Sequence, residues 1–465
     1  MNELTMNLNP KLNIPLYEQI YQYMKEDISA GRLIYGQKLP SSRALSKYLE
    51  VSRSTVELAY EQLLSEGYIE TIPCKGVYVA DLEGLYVQKK TGTSAYANQQ
   101  IKKPKYRYDF SPNGIDLSSF PYNVWRKISK EILSDDRSEL FRSSHSQGEE
   151  ALRYAIQNYL HQARGVNCSI DQIIVGAGNE YLLMLLGMIL GTSQKVAFET
   201  PTYKQAYRLF EKLSYEVTTV DMDKYGMQIE GLRQSGASMA YVMPSHQYPL
   251  GIVMPIKRRM ELLKWAQEAE NRYIIEDDYD SEFRYKGKPI PALQGSDVNG
   301  KVIYLGTFSR SIAPAIRVSY MVLPQSLMDT YQKQCEFLSC TVPKADQYIV
   351  QRFMEQGYFE RHLNKMRALY KARHDVLLMQ LKPLLEQCSV TGEHAGVHLL
   401  LHFHGGKTEE EYITLAKQKG IKVYGLSEYD THSKQKENAT ILLGYANMKE
   451  ADIIEATKIL CEIWK

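Results

Sequence analysis

Residues 306–317 read "GTFSRSIAPAIR". They follow the apolar run "KVIYL" (301–305), which is short and β-branched enough for a buried strand. The stretch therefore begins where a strand ends. It offers two hydroxyls, Thr307 and Ser309, and a guanidinium at Arg317, a set suited to a phosphate. Arg310 stands among them. Its guanidinium stays protonated and is not a usable amine nucleophile.

Working outward, the same pattern recurs in "QIIVGAG" (172–178), "KVAFET" (195–200), "MAYVMP" (239–244) and "RYIIEDD" (272–278). Each run precedes turn residues, and helical patterns lie between them. This alternation predicts an α/β domain with a parallel or mixed sheet, helices on both faces and ligands at the strand C-termini. The strand ends then read as a site. Gly178, Asn179 and Glu180 open a helix whose free amides and dipole make an anion cup. Tyr203 lies in a loop after a strand, and "IIEDDYDSEF" closes a strand with carboxylates, Asp277 first and Tyr279 close behind. Singly, each has an ordinary reading: a glycine turn, a strand cap, a packing tyrosine. Their order makes the site.

The first 80 residues have another character. Tyr17, Ile20, Met24 and Ile28 form one helical stripe, Ser41 can cap a second helix, and Ser52 can cap a third carrying Val56, Ala59, Tyr60 and Leu63. Two short strands turning at Cys74-Lys75-Gly76 follow. Three short helices and a hairpin describe a winged helix-turn-helix. The third helix would enter the major groove with Ser52, Arg53, Ser54 and Thr55 foremost, flanked by Arg43 and by Lys75 and Gly76 of the wing. The segment holds 8 Lys and Arg against 9 Asp and Glu, so binding must come from local placement, not bulk charge. The acids Glu57, Glu61, Glu66 and Glu70 are expected to lie away from the groove-facing start of the helix. The bland alternative is a small helical cap on an enzyme.

Between these parts, residues 81–107 read as a flexible tether with 6 Lys and Arg against 2 Asp and Glu. Its run Lys102-Lys103-Pro104-Lys105 reads as a solvated linker that could brush DNA phosphates. The 465 residues are too many for one core. No apolar run reaches 18 residues and the start lacks a signal-peptide core, so a membrane span is not expected. Six scattered cysteines without a CxxC pair suggest free thiols in a cytoplasmic protein and no metal site. The net charge of +2 decides nothing.

Two resemblances sharpen this. The run "LPSSRALSKYLEVSRSTVELAYEQLLSEGYIETIPCKGVYV" (39–79) is similar to the DNA-binding domain of GntR-family bacterial regulators. From residue 108 onward, "PSHQYPLGIVMP", "YIIEDDYDSEFRY", "IPALQ" and "VIYLGTFSRSIAPAIRVSYMVLP" resemble fold-type-I aminotransferases, which hold pyridoxal phosphate (PLP). The whole chain most resembles MocR/GabR-type regulators, in which the two are fused. The resemblance implies a multidomain chain: residues 1–80 DNA-binding, 81–107 linker, and 108–465 an aminotransferase-like domain for effector binding and dimerisation. It implies that Asp277 pairs with the pyridine nitrogen, Tyr279 reaches the ring oxygen and Tyr203 stacks on the ring. Thr307, Ser309, Arg317 and the Gly178-Asn179-Glu180 turn would hold the phosphate. Position 310 is where the lysine of the Schiff base would stand. Partners implied are operator DNA, a small effector and a second copy, head to tail.

The sequence departs from that pattern at four places. Arg310 cannot form the aldimine or abstract an α-proton. Glu180 stands where a neutral donor is usual, and its carboxylate would repel a phosphate. Gln205 and, in "LLGYANM", Asn447 stand where carboxylate-gripping arginines are typical. Concerted change favours natural divergence over a single engineered substitution. Arg310 and Glu180 are expected to pair within the old site. The expectation is a regulator without transaminase activity, with PLP noncovalent where it binds. The rivals are a PLP-dependent aminotransferase and a regulator whose large domain only dimerises.

Overall fold

The computed structural model describes residues 6–82, 106–134, 138–285, 287, 289–431 and 438–465. The chain divides into two compact units, Met1–Lys102 and Lys103–Lys465. Most of the tether, including Lys102-Lys103-Pro104-Lys105, lies outside the described residues.

The small unit packs helices α1 (Leu16–Ser29), α2 (Ser42–Tyr48) and α3 (Arg53–Ser65) against strands β1 (Ile69–Ile72) and β2 (Gly76–Val79). Both serine caps form: Ser41 Oγ accepts from the Ala44 amide and Ser52 Oγ from that of Thr55, each at 3.2 Å. Between α2 and α3, Glu50 takes the left-handed conformation (φ 56°) that closes the short turn. The core holds Ile20, Met24, Ile28, Leu45, Val56, Ala59, Tyr60 and Leu63, all buried. Tyr17 is only half-buried; Tyr21 takes its place on the stripe because its hydroxyl is anchored on Glu66 at 2.6 Å. β1 and β2 pair antiparallel from Ile69–Val79 to Ile72–Gly76. Cys74 (φ 61°) and Gly76 (φ 119°) make the turn between them.

The large unit begins with strand β3 (Tyr108–Asp109). Its main sheet contains β4 (Ile173–Gly176), β5 (Lys195–Thr200), β6 (Glu216–Asp223), β7 (Gly226–Met227), β8 (Met239–Val242), β9 (Tyr273–Asp278), β10 (Val302–Thr307) and β11 (Ser319–Val322). The order is β4-β11-β10-β9-β8-β5-β6-β7. β10, β9, β8, β5 and β6 run parallel, whereas β11 is antiparallel to both neighbours, so the sheet is mixed. Side chains alternate between its faces. Phe198, Ile275 and Ile303 pack with Leu182, Leu186 and Phe210 on one side; Ala197, Ile274 and Val302 pack with Leu262 and Trp265 on the other. Helices on both faces follow from strands that are apolar on both.

A second sheet follows, from β12 (Cys388–Thr391), β13 (His398–Phe403), β15 (Tyr424–Gly425) and β16 (Thr440–Gly444), all antiparallel. Preceding β15, strand β14 (Ile421–Lys422) pairs instead with β3, in parallel. The helices Tyr358–Leu381 and Glu450–Trp464 close this core.

Candidate ligand pocket and DNA-reading surface

A cavity of about 220 Å³ opens where β5, β9 and β10 end. Asn179, Glu180, Tyr203, Asp277, Tyr279, Thr307, Ser309, Arg310 and Arg317 all line it, joined by Asn113, Gln205, Met243, Tyr248 and Pro314. Of the residues expected in the cofactor site, only Gly178 is not part of the wall. It lies beneath: a Cβ added there would come within 1.9 Å of Arg317 Nη2, and its φ of +98° suits glycine.

Asp277 forms the floor. It is buried, accepts from Asn179 Nδ2 at 3.2 Å, and takes a very short hydrogen bond from the Tyr241 hydroxyl. Burial pushes its carboxyl up to about 7, against the opposing pull of Tyr241. Beneath the floor, Arg164 donates to Asp278 at 2.7 Å, to Ser245 Oγ at 2.8 Å and to the Ile290 carbonyl at 2.6 Å. Tyr304 adds a 2.6 Å hydrogen bond to Asp278. Tyr279 places its hydroxyl 3.0 Å from His246 Nδ1, which is also 3.0 Å from Asp280. Nearby His398 is pushed down to about 4 by burial and keeps its ring against the Pro249 carbonyl.

The cations do not pair as the sequence suggested. Glu180 binds Arg317, Nη2 to Oε2 at 2.6 Å, both about half exposed. Arg310 donates instead to Asn113 Oδ1 at 2.6 Å and lies over the Tyr279 ring, 5.5 Å from its centroid. The expected Arg310–Glu180 pair is therefore absent. The neighbouring arginine outcompetes Arg310 for Glu180, and the segment after β3 supplies Arg310 with a neutral acceptor. Gln205 meets the Tyr203 hydroxyl, and Asn447 donates to the Asp109 carbonyl at 3.1 Å.

Tyr241, Tyr248 and Asn113 are among the wall and floor residues that escaped the sequence reading. Tyr241 sits on β8, one strand from Asp277, and alternation in "MAYVMP" could have placed it inward. Tyr248 falls in the "PSHQYPLG" turn, where local pattern says only that a turn exists. Asn113 had no local signal, because its contact with Arg310 spans 197 residues.

On the small unit, Arg43, Ser52, Arg53, Ser54, Lys75 and Gly76 are exposed and Thr55 half-buried. The hydroxyls of Ser52, Ser54 and Thr55 cluster at 2.7–2.8 Å around the cap. Glu57 is not remote from the helix start, as its sequence position had suggested. One turn on from Arg53, its Oε1 accepts from Arg53 Nε at 2.7 Å.

Residues 16–79 match the family "Bacterial regulatory proteins, gntR family" and residues 112–460 match "Aminotransferase class I and II". The chain is 38% identical to "Uncharacterized HTH-type transcriptional regulator YdeL" of Bacillus subtilis, over 100% of both chains. It is 29% identical to "Probable rhizopine catabolism regulatory protein MocR" of Rhizobium meliloti, over 95% of this chain and 92% of that one. It belongs to the MocR-type regulators of the GntR family. The large domain of this MocR-type chain is also similar to the crystal structure of a Pyrococcus horikoshii kynurenine aminotransferase in complex with PMP. That match has a TM-score of 0.68 and 26% identity, and covers 77% of this chain and 90% of that one. A GntR helix-turn-helix implies DNA binding. Among the described residues, no helix is long and apolar enough to cross a membrane.

The pocket of this MocR-type chain fits PLP in part through atoms that need a partner. Ser309 Oγ and Asn179 Oδ1 are buried without a hydrogen bond among the described residues, and both residues line the cavity. Thr307 and Arg317 are donors suited to a phosphate, and Asp277 suits a ring nitrogen. Glu180 competes for Arg317, but a half-exposed pair is worth at most about 1 kcal/mol and can be exchanged.

Proposed function

We propose that this chain is a cytoplasmic, operator-binding regulator whose aminotransferase-like domain senses a small ligand and does not transaminate. Arg43, Arg53, Lys75 and the Ser52-Ser54-Thr55 turn contact DNA, with Gly76 shaping the wing. Residues 1–80 carry that activity, 81–107 tether it, and 108–465 bind the effector and pair head to tail with a second copy. Two reading heads then favour repeated half-sites. A ligand acts as a signal by binding two arrangements of the dimer unequally.

The observation that carries the reading is Arg310, held by Asn113 in the pocket wall and over Tyr279. PLP, where it binds, is held noncovalently by Asp277, Tyr203, Tyr279, Asn179, Thr307, Ser309 and Arg317, with Gly178 leaving room. When bound it supplies an electron-withdrawing ring. Arg310 has no free amine to bond it and no lone pair to accept a substrate proton. It orients an anionic group instead. Borohydride treatment with PLP, followed by peptide mapping, tests this. Wild type should carry no label on pocket peptides, and Arg310→Lys should be labelled at 310. A labelled wild-type pocket would sink the noncovalent reading. A DNA footprint that changes with PLP or another pocket ligand separates a sensor from a mere dimerisation scaffold.

A further inference from the structure

The outer face of α3 lacks the charge of a phosphate-gripping surface. Its core side is Val56, Ala59, Tyr60 and Leu63, so Arg53, Ser54, Glu57, Leu58 and Glu61 point away from the small unit's interior. That face carries one cation against two acids. Leu58, the next residue, is 51% exposed, a large apolar side chain left bare at the edge of the face.

Glu57 is held in place. Its Oε1 takes Arg53 Nε at 2.7 Å and Ser42 Oγ of α2 at 3.3 Å. Its Oε2 takes no donor among the described residues. A carboxylate brought into a major groove meets mostly acceptors: guanine N7 and O6, thymine O4, and the phosphates beyond. It is accommodated where the base edge presents an amino group, and cytosine N4 is the donor that pairs with glutamate. Leu58, on the same outer face, suits the apolar feature of that groove, the thymine methyl.

We propose that Glu57 is a specificity-determining residue that accepts from cytosine N4 through Oε2, selecting cytosine at one position of each half-site. This rests on α3 being the recognition helix, as proposed above. Oε1, tied to Arg53 and Ser42, fixes the carboxylate and aims Arg53 at the neighbouring base or phosphate. The acid costs general affinity for DNA and gains discrimination, because guanine and thymine face it with acceptors only and adenine sets its N7 acceptor beside its amino group.

The test is site selection from a random 30-bp duplex library by the full-length chain, wild type against Glu57→Ala and Glu57→Gln. Glu57 is partly exposed and its helical pair with Arg53 is screened by water, so both variants should melt like wild type. Wild type should select a motif with a fixed cytosine. Glu57→Ala should lose that preference by about 10-fold or more, and Glu57→Gln should move it towards adenine, the base that glutamine reads. A role confined to positioning Arg53 would not switch cytosine to adenine. An unchanged motif in both variants overturns the proposal while leaving α3 as the reading helix. A wild-type chain that selects no motif overturns both.

Discussion

Two ion pairs in this molecule, each an arginine Nε on a carboxylate at 2.7 Å, differ in their surroundings. Arg53–Glu57 lies on α3 with both side chains well exposed, while Arg164–Asp278 lies under the pocket floor with each side chain 2% exposed. Water screens the first, so it adds little to stability, and it leaves Glu57 Oε2 without a donor among the described residues. The second has lost its hydration, and either partner left alone would be a bare buried charge. The exchangeable contacts lie where function is proposed, and the fixed ones hold the frame. Arg317–Glu180 belongs with the first kind, although it borders the pocket.

The largest effect should come from the fixed kind. Arg164→Met should destabilise the large unit by about 3–5 kcal/mol in denaturant unfolding, since Asp278 keeps its burial and loses its cation. A loss under about 1 kcal/mol would place that pair with the exchangeable contacts. Leu63→Ala should cost the small unit about 2–5 kcal/mol, read as faster amide exchange in α1–α3 with the large unit unaffected. Exchange rising equally in both would deny the units their independence. Arg53→Ala should weaken operator binding by about 1–3 kcal/mol without changing melting; no loss would misplace the recognition helix.

Asp277→Asn carries a pH signature. The folded chain holds the Asp277 proton up to about 7, whereas an unfolded aspartate releases it near 4. Wild type therefore loses stability through this group as pH rises between those values, and the variant does not. The stability difference, variant minus wild type, should grow from about pH 4 to about pH 7 and stay level above. A difference independent of pH would show that Asp277 titrates normally. The smallest effect belongs to Glu180→Ala. Its partner Arg317 is half exposed, so melting should shift by less than about 1 kcal/mol equivalent. A large loss would point to a buried role that the pair's exposure does not suggest.

The same division explains what could be read beforehand. Ser41 and Ser52 cap helices through atoms three residues away, and the strand ends at Asp277 and Thr307 follow from alternation, so the fold and most of the pocket wall were legible. Partner choice was not. Arg310, Arg317 and Glu180 offered several pairings of similar chemistry, and tertiary distance alone chose Arg317–Glu180 and Arg310–Asn113. Tyr21 displaced Tyr17 because a hydroxyl found Glu66 across 45 residues, which no local period encodes.

Strand β3 has a mechanical consequence. Arg107 and Phe110 donate to Gly420 and Lys422 carbonyls at 2.8 and 3.0 Å, and Gly444 donates to Phe110 at 2.9 Å. Asn113, which grips Arg310, is only three residues past Phe110. Tension arriving along the chain from the N-terminal side is thus loaded lengthwise across this clamp of main-chain bonds before it reaches the pocket wall. A pull strong enough to slip the clamp would reach Asn113 through three residues, which span at most about 10 Å when fully extended.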